Sequence, residues 1–163
     1  ALAKLQKDLS RKTGSRKGEK ESNNHKKQKR KVAKLHRHIA NQRKDFLHKQ
    51  SAGIANRYDV VCVEDLDMRA MSNKGFGNGK ATLDNGYGMF RTMLKYKLEE
   101  QGKRLVKVDR FFPSSKRCSC CGRIKEDLTL SERIYTCNCG IEMDRDVNAA
   151  INIMTEAMRK IAS

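Results

Sequence analysis

The chain has 163 residues, enough for one domain or for one domain with a small satellite. It carries 36 Lys and Arg against 19 Asp and Glu, a net charge of +17 that favours a polyanionic partner such as DNA or RNA. No apolar run is long enough to cross a bilayer, and the first ten residues lack the apolar core of a signal peptide. We therefore predict a soluble protein that is cytoplasmic and nucleoid-associated, with no membrane partner.

Most of the positive charge lies in the first 50 residues, which hold 17 Lys and Arg against 4 Asp and Glu. Leucines spaced by three and four residues predict a short first helix, and an apolar stripe predicts a longer second one. A loop is predicted over residues 13–24, so residues 1–57 would form an antiparallel helical hairpin with basic outer faces. The apolar residues of the second helix are Val32, Leu35, Ile39, Phe46 and Ile54.

The basic side chains of this hairpin are candidates for binding nucleic-acid phosphates through electrostatic, salt-dependent contacts. A solvated hairpin without a partner is the alternative. The candidate nucleic-acid-binding residues are Lys26, Lys27, Lys29, Arg30, Lys31, Lys34 and Arg37, together with Lys116 and Arg117 further along the chain.

A short β-branched run follows the hairpin. Residues Val60 to Val63 lack polar alternation, which predicts a strand buried on both faces with Cys62 as a small buried hydrophobe. The run ends in Glu64 and Asp65. A carboxylate at the carboxyl end of a buried strand is where α/β folds build sites. On this segment alone, a merely solvated strand end is the simpler interpretation.

The next segment completes an α/β layer over residues 58–113. Five glycines between Met68 and Gly88 predict a surface loop, since their spacing does not match a phosphate-binding loop. An amphipathic helix should follow from Met89 and end at Gly102. Alternation around residues 105–108 then predicts a second strand.

Two close cysteine pairs predict a four-cysteine zinc ribbon over residues 114–142. Cys118 and Cys121 are separated by fifteen residues from Cys137 and Cys139, and four thiolates suit a tetrahedral structural zinc. The second pair is C-x-C rather than C-x2-C, and Cys120 offers an alternative ligand in the first pair. Free or redox-active thiols are the other interpretation. The residues between the pairs, 123–136, predict a small hairpin.

The last segment, residues 143–163, opens with two acids before an apolar helix. Asp144 suits a helix cap, and Asp146 suits the first turn, where the helix dipole favours negative charge. A different arrangement remains open at this point: one acid could face a cleft, meet Glu64 and hold a divalent metal.

Three strings, V-V-C-V-E-D-L-D, S-S-K-R-C-S-C-C-G and C-N-C-G-I-E-M-D-R-D-V-N-A-A, together resemble TnpB (OrfB), a family of transposon-associated RNA-guided nucleases. The resemblance covers nearly the whole chain. It implies a partial RNase H-like (RuvC-type) α/β core, with the basic helical hairpin before it and the zinc ribbon inserted before the last helix.

The resemblance also implies roles for individual residues. Glu64 and Asp146 would be catalytic acids that hold Mg(II) or Mn(II), with Asp144 and Asn148 supporting the site. Zinc would be structural. The partners would be DNA and, through the full-length protein, a guide RNA.

The sequence also departs from the family pattern, because the first catalytic Asp of that pattern has no counterpart here. We therefore expect a C-terminal fragment that holds two of three acids and does not cleave DNA alone. A non-catalytic zinc-ribbon nucleic-acid-binding protein is the main alternative. A zinc-stabilised structural component of a ribonucleoprotein is a third hypothesis.

Overall fold

The computed structural model describes residues 1–12, 21–71, 86–129 and 131–163, apart from the side chain of residue 69. Residues 13–20 of the first predicted loop and residues 72–85 of the second lie outside the described residues. The elements are α1 Leu2–Lys12, α2 Asn23–Arg57, β1 Val60–Glu64, α3 Met68–Met71, α4 Tyr87–Glu100, β2 Arg104–Val108, β3 Ile134–Thr136, β4 Glu142–Asp144 and α5 Arg145–Ala162. The chain divides into two compact units, Ala1–Gln50 and Ser51–Ser163.

The first unit contains α1 and most of α2, and the two helices are in contact. The buried Gln28 side chain donates a hydrogen bond of 3.0 Å to the backbone carbonyl of Leu5. A second contact of 3.4 Å joins the Nε2 atoms of Gln6 and His36. The predicted helix pair therefore forms, with a polar contact included in its buried seam.

The apolar stripe of α2 differs from the prediction at one position. Phe46 was expected in the seam, but it is 59% exposed, whereas the neighbouring Leu47 is buried. Leu47, Ser51 and Ala55 are buried at intervals of four residues, which defines one face of the helix. The buried face thus rotates along α2 towards its carboxyl end, and Phe46 lies off the new face.

The second unit is built on the strands β1 and β2, which pair in parallel. Val60 lies opposite Arg104 and Glu64 opposite Val108. The hydrogen bond from the Asp65 amide to the Val108 carbonyl, 3.0 Å, extends the ladder beyond Glu64. The connection between these strands includes α4, as parallel pairing requires a crossover.

Helices pack against both strands. Ala55, Leu94 and Leu98 form a buried cluster, and Val61 and Leu105 pack against it from the sheet. Because side chains alternate along a strand, Glu64 and its partner Val108 point to the opposite face. Helix α5 contacts both β1 and β2.

The prediction that β1 is buried on both faces was wrong in degree, since each of its residues is half-buried. Within the described residues this sheet has two strands, so each strand has one unpaired edge that stays accessible. Gly102 ends α4 as predicted: the Lys103 amide bonds the Leu98 carbonyl at 2.8 Å in the capping turn. Helix α3 occupies the start of the predicted loop.

The ribbon hairpin also forms elsewhere than predicted. A hairpin was expected within residues 123–136, but β3 pairs antiparallel with β4, with Thr136 opposite Glu142. The second cysteine pair therefore lies in the turn of this hairpin. The first pair lies in a loop closed by a bridge between Arg117 and Ile124. None of the described helices has the length and apolarity needed to span a membrane.

We predict that Leu98→Ala lowers the free energy of unfolding by about 2–5 kcal/mol, because Leu98 is completely buried and its truncation leaves a cavity. Urea denaturation followed by circular dichroism measures this. Met154→Ala is the control, since Met154 is half-exposed and its loss should change stability by less than about 0.5 kcal/mol. Equal effects of the two substitutions would contradict the described core.

Candidate functional site

Four cysteines form one cluster. The sulfur atoms of Cys118, Cys121, Cys137 and Cys139 all lie within 4.8 Å of one another. The Sγ atoms of Cys118 and Cys139 are 3.6 Å apart, and those of Cys121 and Cys137 are 3.7 Å apart. A tetrahedral zinc with Zn–S bonds of about 2.3 Å places its sulfurs about 3.8 Å apart, so the cluster fits zinc. Cys120 is outside the cluster, as predicted.

Two glycines make the cysteine turns. Gly122 and Gly140 have φ angles of +78° and +91°, a backbone conformation that side-chain-bearing residues rarely adopt. The Gly122 amide bonds the Cys118 carbonyl and the Gly140 amide bonds the Cys137 carbonyl, each at 2.9 Å. Each turn folds the chain back so that both cysteines of a pair can contact one ion.

The ribbon environment shifts the pKa values of several groups, among them Cys118 and Tyr135. Burial would raise the pKa of Cys118, but the backbone amides of Cys121 and Cys120 donate to its sulfur and lower that pKa to about 6. Burial, with the nearby cysteine thiolates, raises the pKa of the Tyr135 phenol to about 12. Tyr135 therefore keeps its proton, and its hydroxyl donates to the Lys116 carbonyl at 3.1 Å.

The cysteine ribbon is attached to α5 by two buried asparagines. The Asn148 amide donates to the Arg117 carbonyl at 2.7 Å, and its oxygen accepts from the Ser119 amide at 3.0 Å. Asn152, one turn later, donates to the same Arg117 carbonyl at 2.6 Å. Asn148 was predicted to support the carboxylate site, and its side-chain amide forms hydrogen bonds with the backbone of the first cysteine turn.

Glu64 lies at the carboxyl end of β1. Its Oε1 accepts a hydrogen bond of 2.6 Å from the hydroxyl of the buried Ser114. The Ser114 carbonyl in turn accepts from the Asn152 amide at 2.9 Å. Glu64 is therefore connected through two residues to helix α5.

The neighbouring acids are neutralised, whereas Glu64 is not. Asp65 pairs with Arg91 at 3.1 Å and with Lys107 at 3.3 Å. Asp67 pairs with Arg110 at 3.1 Å. In the described part of the chain, no basic side chain forms an ion pair with Glu64. Its negative charge is therefore available to a cation.

The two acids at the start of α5 differ in their contacts. Asp144 is the helix cap, as predicted, because its Oδ1 accepts from the amides of Asp146 at 2.8 Å and Val147 at 3.1 Å. The Asp146 side chain is 77% exposed, and its carboxylate lies 3.6 Å from the Arg145 guanidinium. Asp146 is thus free of the capping bonds and open to solvent.

The predicted nucleic-acid-binding residues of α2 are all exposed. In the ribbon, the Lys116 ammonium bonds the Glu126 carbonyl at 3.0 Å. The Arg117 guanidinium lies 5.9 Å from the centre of the Phe112 ring. The α2 side chains therefore present their charge outwards, whereas Lys116 and Arg117 are partly engaged within their own unit.

Sequence reasoning did not find Ser114 and Asn152. Their contacts join positions 38 residues apart, which no local pattern reveals. One signal was available: Asn148 and Asn152 stand four residues apart in an otherwise apolar helix, and a polar pair at that spacing shares one face.

Comparison with known families assigns both parts of the chain. A family model described as "Probable transposase" matches residues 1–75, and one described as "Cas12f1-like, TNB domain" matches residues 87–153. A Streptomyces pristinaespiralis protein named "Putative RNA-guided DNA endonuclease" is 43% identical over 96% of this chain. The chain belongs to the TnpB (OrfB) family.

A second TnpB relative and a solved structure agree with this assignment. An Escherichia coli K12 protein, "Putative RNA-guided DNA endonuclease InsQ", is 34% identical over 94% of the chain. The chain spans 37% and 40% of the lengths of these two relatives. The structure of a CRISPR-Cas12f ternary complex matches this chain with a TM-score of 0.65 and 20% sequence identity. The match covers 93% of this chain and 31% of the Cas12f chain. The mixed helix and strand fold is therefore shared with Cas12f.

We predict that Cys121→Ser abolishes tight cobalt binding with four-thiolate absorption, because one of the four clustered sulfurs is lost. Cys120→Ser should leave the spectrum and the stoichiometry unchanged, since Cys120 is outside the cluster. Titration of the metal-free protein with Co²⁺, followed by visible absorption, measures both. Loss of the spectrum in Cys120→Ser would refute this ligand set.

Proposed function

We propose that this TnpB chain contributes to the RuvC-type, RNase H-like nuclease centre of an RNA-guided DNA endonuclease. In this proposal residues 1–57 are a basic helical hairpin and residues 58–113 part of the core. Residues 114–142 are a structural zinc ribbon, and residues 143–163 a core helix with the last acid. The relatives named as RNA-guided DNA endonucleases support the proposed activity.

The uncompensated charge of Glu64 is the observation that carries the proposal. Glu64 ends a parallel strand and points to the sheet face opposite the Leu94 cluster, while the acids around it are paired with basic side chains. A carboxylate at the carboxyl end of a strand, without a basic partner, is suited to hold a cation.

Asp146 is the proposed second acid. It stands on the same face of α5 as Ala149, Ile153 and the buried Ala157, at spacings of three, seven and eleven residues. Helix α5 contacts β1 and β2. This arrangement supports a common site for Asp146 and Glu64 at the carboxyl end of the sheet.

The proposed donor set suits Mg²⁺ or Mn²⁺, which prefer carboxylate oxygens and retain bound waters. Such ions supply an activated water and stabilise the leaving oxygen in phosphodiester cleavage. Glu64 and Asp146 would be ligands. Asp144 would support the site by capping α5, and Asn148 by fixing the cysteine turn to that helix.

Nucleic acids are the proposed partners. The solved Cas12f1 relative is a complex with an sgRNA and a target DNA. By this analogy the exposed Lys and Arg side chains of α2, with Lys116 and Arg117, would contact phosphates of DNA or of the guide RNA. The zinc ribbon would hold its segment rigid beside the strand that is cut.

We predict that Glu64→Gln and Asp146→Asn each weaken Mn²⁺ binding to the zinc-loaded chain by about tenfold or more, because each removes a charged ligand. Electron paramagnetic resonance of free Mn²⁺ measures the affinity. Glu100→Gln and Asp127→Asn are matched controls, since both acids are exposed and should leave the affinity unchanged. Unchanged binding in both site variants would favour the non-catalytic zinc-ribbon nucleic-acid-binding protein.

A second prediction concerns the basic helix. Replacing Lys31 and Lys34 by Gln should weaken duplex DNA binding and reduce the slope of log K against log salt by about two, because two phosphate contacts are lost. The control replaces Lys95 and Lys160, which are exposed elsewhere, and should leave the slope unchanged. Fluorescence anisotropy at several salt concentrations measures the slope. Identical slopes in both variants would exclude α2 from the interface.

A further inference from the structure

Ser114 occupies an unusual position for a serine in a connecting segment. It follows β2 by six residues, precedes the first zinc-cluster cysteine by four, and is only 6% exposed. Its hydroxyl has one acceptor, the Glu64 carboxylate, at 2.6 Å. A short hydrogen bond from a hydroxyl to a charged acceptor is stronger than one between neutral groups. Ser114 therefore restrains the side chain that the proposed site depends on.

Ser114 is itself held from helix α5. The Asn152 amide nitrogen carries two hydrogens, and both are used: one bonds the Ser114 carbonyl at 2.9 Å, the other the Arg117 carbonyl at 2.6 Å. Asn148 supplies a second donor to Arg117 at 2.7 Å. Because both acceptors of Asn152 are carbonyls, its amide group has one favoured orientation.

The same segment is held from the ribbon. The Lys116 carbonyl accepts from the buried Tyr135 hydroxyl at 3.1 Å. Cys118, the first zinc-cluster sulfur, is buried at the end of the segment and bonds Arg123 through its amide at 2.8 Å. The peptide from Ser114 to Cys118 is therefore fixed at its carbonyls by α5 and β3, and at its end by the metal cluster.

We propose that Ser114 is a positioning residue for the metal site: its hydroxyl orients the Glu64 carboxylate, and Asn152 and the zinc ribbon orient Ser114. This inference rests on the proposed role of Glu64 as a metal ligand. With Oε1 held by the hydroxyl, Oε2 is directed to a cation without a further loss of rotamer freedom. A ligand that is oriented before the metal arrives binds it more tightly.

The test measures Mn²⁺ affinity on the zinc-loaded chain. Ser114→Ala should weaken binding about tenfold, the loss expected for a hydrogen bond to a charged group. Ser114→Thr keeps the hydroxyl and should restore most of that affinity. Ser115→Ala is the matched control, because Ser115 is the adjacent serine and makes no side-chain hydrogen bond within the described residues. Wild-type affinity in Ser114→Ala would overturn the proposal.

The proposal that Asn152 acts through Ser114 is tested by comparing the losses of Mn²⁺ affinity in the single and double variants. Asn152→Ala should weaken Mn²⁺ binding about as much as Ser114→Ala, and the double variant should bind no more weakly than either one. Independent, additive losses would show that Asn152 does not act through Ser114. That result would overturn the relay.

The absorption spectrum of the cobalt-substituted ribbon distinguishes a positioning role of Ser114 from a merely structural one. If Ser114 positions Glu64, Ser114→Ala leaves the absorption spectrum of the cobalt-substituted ribbon unchanged while Mn²⁺ affinity falls. A changed cobalt spectrum would mean that the substitution disrupts the ribbon, which contradicts the proposal. Glu64→Gln separates the two hypotheses: if it leaves Mn²⁺ binding intact, the proposed function fails, whereas if it abolishes binding and Ser114→Ala does not weaken it, only this inference fails.

Discussion

The junction between sheet and ribbon depends on one constraint, the need of buried and partly buried backbone carbonyls for hydrogen-bond donors. A buried carbonyl without a donor costs about 1–3 kcal/mol. The carbonyls of Ser114, Lys116 and Arg117 find their donors in Asn152, Asn148 and Tyr135. Three of these bonds come from α5 and one from β3, so α5 cannot shift without breaking several bonds at once. The cysteine cluster and the end of β1 are thereby linked through the segment from Ser114 to Cys118.

The acids near the carboxyl end of β1 differ in whether they form ion pairs. The two acids that follow β1, Asp65 and Asp67, are paired with Arg91, Lys107 and Arg110. Such partly exposed pairs add little stability. These pairs compensate the charges of Asp65 and Asp67 and leave Glu64 without an ion pair within the described residues.

The sequence predicted best where chemistry dictates spacing. Cys118 and Cys121 could be chosen over Cys120 because two sulfurs on one ion need a turn of defined length, and Asp144 could be assigned as a cap because orphan amides at a helix start need an acceptor. It failed where the answer depends on packing. The exposure of Phe46 follows from a buried face that rotates along α2, and the β3–β4 hairpin from strand pairing across the cysteine turn. Ser114 was missed because its partner is fifty residues away. The roles of Glu64 and Asp146 stay predictions.

The register of the two parallel strands has a consequence for the length of the chain between them and the ribbon. Glu64 lies opposite Val108, and five residues separate Val108 from Ser114. Moving β1 by one residue would turn the Glu64 side chain to the other face of the sheet. Adding or removing a residue between positions 109 and 113 would carry the serine hydroxyl past its acceptor. The number of residues in this short connector therefore sets the position of Ser114. Among related sequences, we expect its length to be kept more strictly than its side chains.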